Sequence, residues 1–420
     1  MLDTDRIRED FPILNREVAS GRPLAFLDNA ASAQRPNCVI DAVSDCYRRY
    51  YANVHRGIHT LSEESTSAYE AARETVQHFL SAASQREIIF TAGTTAAINL
   101  VANSWGAANL SDGDVILLTI AEHHANICPW HQLAERVGCR VEFISLDDDG
   151  MVSEETVHAA LERFSPKLFC FVSASNVLGT TVPVKQWVSM AHQAGATVLV
   201  DAAQSAPHQT VDVQDWAADF VVFSGHKVCG PSGIGVLYGR ESLLEEMPPF
   251  LVGGGMIDRV TTDGFTNAAL PEKFEAGTPP IAQAIGLAEA VRYLSSIGLD
   301  EIERHETGLC KAAYAGLMQI EGIRILGPDA EHRSGILSFV LDGVHAHDIS
   351  QWLDRSGVAV RAGHHCTMPL HDALGVSAST RASFFLYNTM SEVERLIDGV
   401  KDAQSKFTRN GRRRRRPATA

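Results

Sequence analysis

A chain of 420 residues, 45% hydrophobic and 21% charged, has the composition of an ordinary globular protein with room for one large core and a second, smaller one. Its eight cysteines are dispersed, which excludes a disulfide scaffold, and no apolar run approaches the roughly 18 residues that a membrane span needs. Setting aside the six arginines of residues 409–420 takes the net charge from −15 to −21, an acidic body that disfavours a nucleic-acid surface.

Residues 1–20 read as a helix and arm without an apolar signal core, so a cytoplasmic location is expected. Residues 21–28 read as a turn feeding a short strand. Apolar spacing is helical over 36–51, and 61–83 makes a long amphipathic helix opened by Ser62. Strands and helices then alternate, with candidate strands at 87–90, 115–119, 140–144, 168–173, 197–200, 220–223 and 235–238, most of them apolar. Strands that are apolar throughout, separated by helices, predict a mostly parallel sheet covered on both faces. A Gly- and Pro-punctuated connection covers 250–278, and helices follow at 281–297 and 299–320. A strand at 336–341, a helix at 347–356, a short strand at 359–361 and a helix from 391 to about 407 form a smaller α+β module. The expected domains are 21–280, then 1–20 with 281–408, then an arginine-rich tail at 409–420 too charged to pack.

Three strand ends in the large domain carry polar groups. The buried run 220–223 ends in Ser224, Gly225, His226 and Lys227. A lysine desolvated at a strand end becomes a usable nucleophile, although Lys227 alone reads first as a solvent-facing cap. The strand at 197–200 ends in Asp201, with Gln204 one turn on; this acid is either a core carboxylate or a partner for a cationic ring nitrogen. The strand at 87–90 runs into TAGTT and a helix, where free amides, Gly93, Thr94 and Thr95 suit an anion, and equally make an ordinary N-cap. A Schiff-base lysine, an acid for a pyridinium and a helix N-terminus for a phosphate are together the handles of pyridoxal 5′-phosphate.

The smaller module carries one distinctive thiol, Cys366, which follows Gly363, His364 and His365 in a polar loop where a thiolate can form. A bystander cysteine and a metal site using His364, His365, Cys366 and His371 are the competing readings; the latter lacks a second ligand cluster at zinc spacing, so no metal is expected.

The segments DNAASAQRP (28–36), NVHRGIHTLS (53–62), TAGTTAAINLVANSWG (91–106), AEHHANICPW (121–130), SNVLG (175–179), DAAQSAPH (201–208), SGHKVCGPSGIGVLYG (224–239), FEAGTPP (274–280), RAGHHCTMPL (361–370) and RASFFLYNT (381–389) run nearly end to end. On these segments the chain resembles the Suf-type cysteine desulfurases, relatives of selenocysteine lyases in the class V aminotransferase family of fold-type I pyridoxal-phosphate enzymes. The resemblance implies that Lys227 bonds the cofactor, Asp201 meets its pyridinium and His123 stacks on its ring. It places Gln204 and Asn176 at the phenolate edge, and Thr94, Thr95, Ser224 and His226 at the phosphate, joined by Thr278 of a neighbouring subunit in a homodimer. Arg381 would fork onto the substrate carboxylate, with Arg361, His55 and Asn176 as further substrate-side candidates, and Cys366 would take sulfur from L-cysteine or L-selenocysteine and pass it to an acceptor protein for iron–sulfur assembly. Selenocysteine lyase, a kynureninase-like hydrolase and a non-enzymatic scaffold remain the alternatives. One departure stands out: Ala96 occupies a position where such sequences often carry an acid.

Overall fold

The apolar runs assemble into one seven-stranded sheet in the computed structural model, which describes residues 2–18, 21–147 and 150–414, with side chains to residue 407. The strands are β1 (Ile88–Thr91), β2 (Val115–Thr119), β3 (Arg140–Ile144), β4 (Leu168–Val172), β5 (Thr197–Asp201), β6 (Phe220–Ser224) and β7 (Gly235–Gly239), in the order β1-β7-β6-β5-β4-β2-β3. The stretch from β6 to β3 is parallel throughout; β7 is antiparallel to both β6 and β1. One reversed strand between β1 and β6 leaves the carboxyl ends of the other six at a common edge, where ligands of open α/β sheets bind.

Every residue of β2, β4, β6 and β7 is buried, which is why these runs show no polar alternation. On one face Phe169, Phe171 and Phe223 pack with Trp187, and on the other Ile116, Leu118 and Phe220 pack with Trp130. Full burial of each such side chain contributes about 2 kcal/mol.

The helices match the sequence pattern with local adjustments. The first long helix, α1 (Thr60–Phe79), is capped by His59, whose ring accepts the Ser62 amide. Ser62, expected to open the helix, donates its hydroxyl to the Asn53 carbonyl at 2.7 Å. The helix stops short of residue 83 because Ser81 turns to φ +53°. Residues 36–51 form a helix at Asn37–Asp45 that widens into a π-turn at Cys46–Tyr50. The helix α2 (Thr94–Val101) opens the phosphate-type motif, and α3 (Ile281–Ile297) and α4 (Leu299–Leu317) lead into the smaller lobe. No helix among the described residues is long and apolar enough to cross a membrane.

The smaller lobe holds an antiparallel sheet of β8 (Ile323–Ile325), β9 (Ile336–Leu341), β10 (Arg361–Gly363) and β11 (Ser379–Ser383), in the order β8-β9-β11-β10. Of these the sequence pattern marked β9 and the start of β10; β8 and the largely polar β11 went unmarked. The chain ends differ from the expected division. Ile7, Phe11 and Leu14 join the larger core, with Phe11 against Tyr293 and Tyr387 at 5.8 and 4.7 Å. Ala25–Phe26 pairs in parallel with Val358–Ala359, which places Ala25 and Leu27 in the core of the smaller lobe. The connection at 250–278 contains a hairpin, Ile257–Val260 with Phe265–Asn267. The last helix, Met390–Arg414, runs beyond the expected 407; residues 415–420 of the arginine-rich tail lie outside the described residues.

Gly235 begins β7 where a Cβ would lie 2.5 Å from Gly93 Cα and 2.7 Å from the Phe223 carbonyl oxygen, both backbone atoms that cannot swing away. Two glycines facing each other are what let the loop before α2 sit against β7. Gly235→Ala should therefore lower the unfolding free energy by about 2 kcal/mol, as overpacking does, read as a reduced denaturant midpoint at unchanged slope.

Candidate active site

Strand ends and one loop of the smaller lobe enclose a cavity of about 160 Å³. Thr94, Thr95, His123, Asn176, Asp201, Gln204, Ser224, His226, Lys227, Arg361, Cys366 and Arg381 line it. The two other expected residues do not reach it from the same chain. Thr278 lines a separate surface cleft with Tyr47, Tyr51 and Ala96, and His55 bonds through Nε2 to Glu70 at 2.8 Å.

Lys227 follows β6 by three residues, and Asp201 ends the adjacent β5, paired in register with Val222. Lys227 is half-buried and lines the cavity, and burial lowers the pKa of its amine to about 8, with Asp201 opposing the shift and Arg381 adding to it. Burial in turn pushes the Asp201 carboxyl up, opposed by Lys227 and by the Ala203 amide, which donates to Oδ1 at 2.9 Å. A carboxyl strained this way is stabilised by any cation placed in the cavity.

At the far wall, the Thr94 amide and hydroxyl meet the Ser224 hydroxyl at 2.9 and 2.7 Å, which joins the first turn of α2 to the end of β6. The next amides of that turn have no carbonyl within the helix to bond, a standing invitation to an anion. His123 lies in the loop after β2. Its Nδ1 accepts the Ala125 amide at 3.1 Å, which leaves the proton on Nε2, and burial holds its pKa near 4, so the ring is neutral.

Unpartnered polar atoms show what the cavity lacks. Asn176 turns its Nδ2 to the His365 carbonyl and Gln204 its Nε2 to the Ala30 carbonyl, each at 2.8 Å, and so their amide oxygens remain buried and unbonded. Arg381, 2% exposed, donates from Nη1 to the Asn176 carbonyl at 2.9 Å and from Nη2 to Asp28 at 3.2 Å, leaving Nε without a partner. Burial brings its pKa down to about 10, with Asp28 opposing, so the guanidinium stays charged at neutral pH. Two acceptors, a cationic donor, a buried acid, a desolvated amine and a helix N-terminus together match a planar ligand with hydroxyl, ring-nitrogen, aldehyde and phosphate groups, next to a carboxylate.

Cys366 is exposed and reaches the cavity from a loop in which His365 and Cys366 both take left-handed φ, 51° and 60°. Two such non-glycine residues in succession need outside support. It comes from the His124 amide on the Cys366 carbonyl at 2.7 Å, from Asn176 on the His365 carbonyl, and from the Ser379 hydroxyl, which meets the rings of both His365 and His371 at 3.0 Å. Among the described residues, no three His, Cys, Asp or Glu side chains are grouped to hold a metal ion.

Two residues of the site had no role in the sequence reading. Asp28 bridges Arg381 and Arg361, at 3.2 Å to the first and 3.1 Å to the second. Glu122 is wholly buried beside His123 and makes three hydrogen bonds. Each lies inside a quoted motif, DNAAS and EHHAN; an acid two or three residues past an apolar strand was the available signal.

The Lys227 amine becomes nucleophilic as it loses its proton, so its reactivity should rise through about pH 8 and then level off, while ordinary surface lysines keep gaining toward pH 10. Reductive methylation of protein freed of bound aldehydes, with peptide-resolved mass spectrometry across this pH range, measures the difference.

The sequence matches the aminotransferase class-V family over residues 25–396. Probable cysteine desulfurase of Streptomyces coelicolor is 48% identical over 412 residues, covering 97% of this chain and 98% of the relative, and cysteine desulfurase of Haloferax volcanii is 48% identical with the same coverage. Among solved structures, the apo cysteine desulfurase of Thermococcus onnurineus superposes with TM-score 0.91 at 39% identity, covering 97% of this chain and 99% of that one. The cysteine desulfurase CsdA of Escherichia coli superposes with TM-score 0.89 at 37% identity, covering 97% and 100%. With its sheet, cavity and sequence all agreeing, the chain belongs to the aminotransferase class-V family.

Proposed function

We propose that this chain is a pyridoxal-phosphate-dependent cysteine desulfurase, a reading carried by one observation: a desolvated lysine amine, a buried acid and an exposed thiol from the other lobe share a single cavity. The relatives that match over nearly the whole chain bear that name.

Lys227 would hold pyridoxal phosphate through its amine. Asp201 would pair with the ring nitrogen, His123 would lie on the ring face, and the unbonded oxygens of Gln204 and Asn176 would face the phenolic edge. Thr94, Thr95, Ser224 and His226, with the first amides of α2, would cradle the phosphate. When bound, the cofactor supplies an electron sink for the pair released at the substrate Cα. The unpartnered Nε of Arg381 receives the substrate α-carboxylate, with Arg361 beside it across Asp28. Lys227, once freed, moves the Cα proton. The Cys366 thiolate then attacks the substrate sulfur. A sulfur–sulfur bond forms, the carbon–sulfur bond breaks, the carbon keeps the electron pair and takes a proton, and L-alanine leaves with a persulfide on Cys366. His123 is placed to carry a proton to the departing centre. The persulfide passes to an acceptor protein that supplies iron–sulfur assembly, and the Suf-type motifs fit that destination.

The active unit we infer is a homodimer. Thr278 and Ala96 line an apolar cleft with Tyr47, Tyr51, Phe250 and Leu251, and Tyr47, Leu251 and Val252 are all more than half exposed. A second copy covering this face would bring Thr278 of the partner subunit to the phosphate. Ala96 lies on the same face, so the missing acid bears on the subunit contact. Eight free thiols, one of them a working nucleophile, fit a reducing cytoplasm.

Lys227→Ala should abolish the visible absorbance of lysine-bound cofactor, and a retained band would assign that bond to another lysine. Cys366→Ala should keep the absorbance and lose sulfide release from L-cysteine, by about 100-fold or more. Full desulfuration by that variant would reduce Cys366 to a bystander, and activity of the unmodified enzyme on selenocysteine but not on cysteine would favour a selenocysteine lyase. Sedimentation should give twice the chain mass, and Leu251→Glu should shift it toward the monomer.

A further inference from the structure

Glu122 lies wholly buried just beyond β2, one residue before His123. Its Oε1 accepts the Thr119 hydroxyl at 2.5 Å and the Val172 amide at 3.1 Å, and its Oε2 accepts Asn126 Nδ2 at 2.7 Å. Asn126 cannot turn over, because Trp130 Nε1, which only donates, bonds its Oδ1 at 3.0 Å. The carboxyl thus ties β2, β4 and helix Cys128–Val137 to the loop between them.

That loop does two things at the cavity. It presents the His123 ring, and through His124 it grips the loop of Cys366. The His124 amide donates to the Cys366 carbonyl at 2.7 Å, and its Nε2 accepts the Met368 amide at 3.0 Å. We propose that Glu122 is a positioning residue, which fixes the places of His123 and Cys366 relative to Lys227; the inference rests on Cys366 being the sulfur acceptor.

The surroundings demand an acid and reject its amide. Ionised, Glu122 accepts from all three donors; protonated, its hydroxyl turns to the rotatable Thr119 oxygen while both oxygens still accept. Burial pushes the group up to about 8, with the three donors opposing, so both states matter near neutrality. An amide NH2 faces a fixed donor at either end, the Val172 amide or the locked Asn126, and leaves one buried donor unpaired.

Glu122→Gln in the cofactor-loaded enzyme is therefore the test. Alkylation of Cys366 by iodoacetamide, followed on its own peptide by mass spectrometry, should change in rate by roughly fivefold or more, the effect of one unpaired buried donor. The kcat for sulfide release should fall with KM for L-cysteine held within about twofold, as for a group that acts on placement rather than binding. Adding Trp130→Phe unlocks Asn126, whose oxygen can then meet the substituted amide. The double variant should recover most of both losses relative to Trp130→Phe alone. A Glu122→Gln enzyme with unchanged alkylation and kcat, or a double variant no better than the single one, overturns the proposal. Should Glu122→Gln fail to fold, Thr119→Val removes one donor and keeps the acid, and an unchanged alkylation rate there overturns it equally. A bystander Cys366 would show itself in Cys366→Ala while leaving the alkylation measurement readable, so the two failures are distinguishable.

Discussion

The site depends on placing the amine of Lys227 out of bulk water and next to the carboxyl of Asp201. Neither group would choose that setting alone, since burial lowers the pKa of the first and raises that of the second. Their mutual attraction offsets part of the cost, and the parallel pairing of β5 with β6 sets their separation. Because β7 runs against its neighbours, the glycines at 93 and 235 meet and bring the N-terminus of α2 to the same edge. The sheet thereby delivers amine, acid and helix N-terminus from three strands to one cavity.

The second constraint is the fastening of the smaller lobe. Cys366 stands on a left-handed backbone that its own residues do not favour, so its place is dictated by neighbours. The Asn176 side chain holds the loop, and the Asn176 carbonyl holds Arg381. A single residue in the loop after β4 therefore relates the thiol to Arg381. Asp28 adds a similar link, balancing two guanidinium charges that would otherwise repel each other in the cavity.

A buried charge network extends this order to the surface. Arg73, 1% exposed, pairs with both oxygens of Glu275 at 2.7 and 2.9 Å, and Glu70 joins Arg73 to His55. The loop of His55 and the segment of Thr278, neither of which reaches its own cavity, are thus held by one set of ion pairs. Leaving buried Arg73 or Glu275 unpaired would be costly, which makes that pair a rigid base for both.

The sequence by itself determined the seven strands of the large sheet and the residues at their ends. Runs such as 220–223 are buried on both faces and so must be apolar throughout, and Asp201 stands out directly after one such run and Lys227 a few residues after another. It could not mark β11, because Ser379, Thr380, Arg381 and Ser383 are polar and yet buried, each hydrogen-bonded to a partner distant in the chain. The division of the chain ends was hidden for the same reason: Phe11 and Leu27 are simply apolar, and only packing decides which core receives them. Glu122 and Asp28 were visible as acids within quoted motifs, but their roles were not. Hydrogen-bond polarity among groups far apart in sequence is settled only when the tertiary structure brings their donors and acceptors face to face.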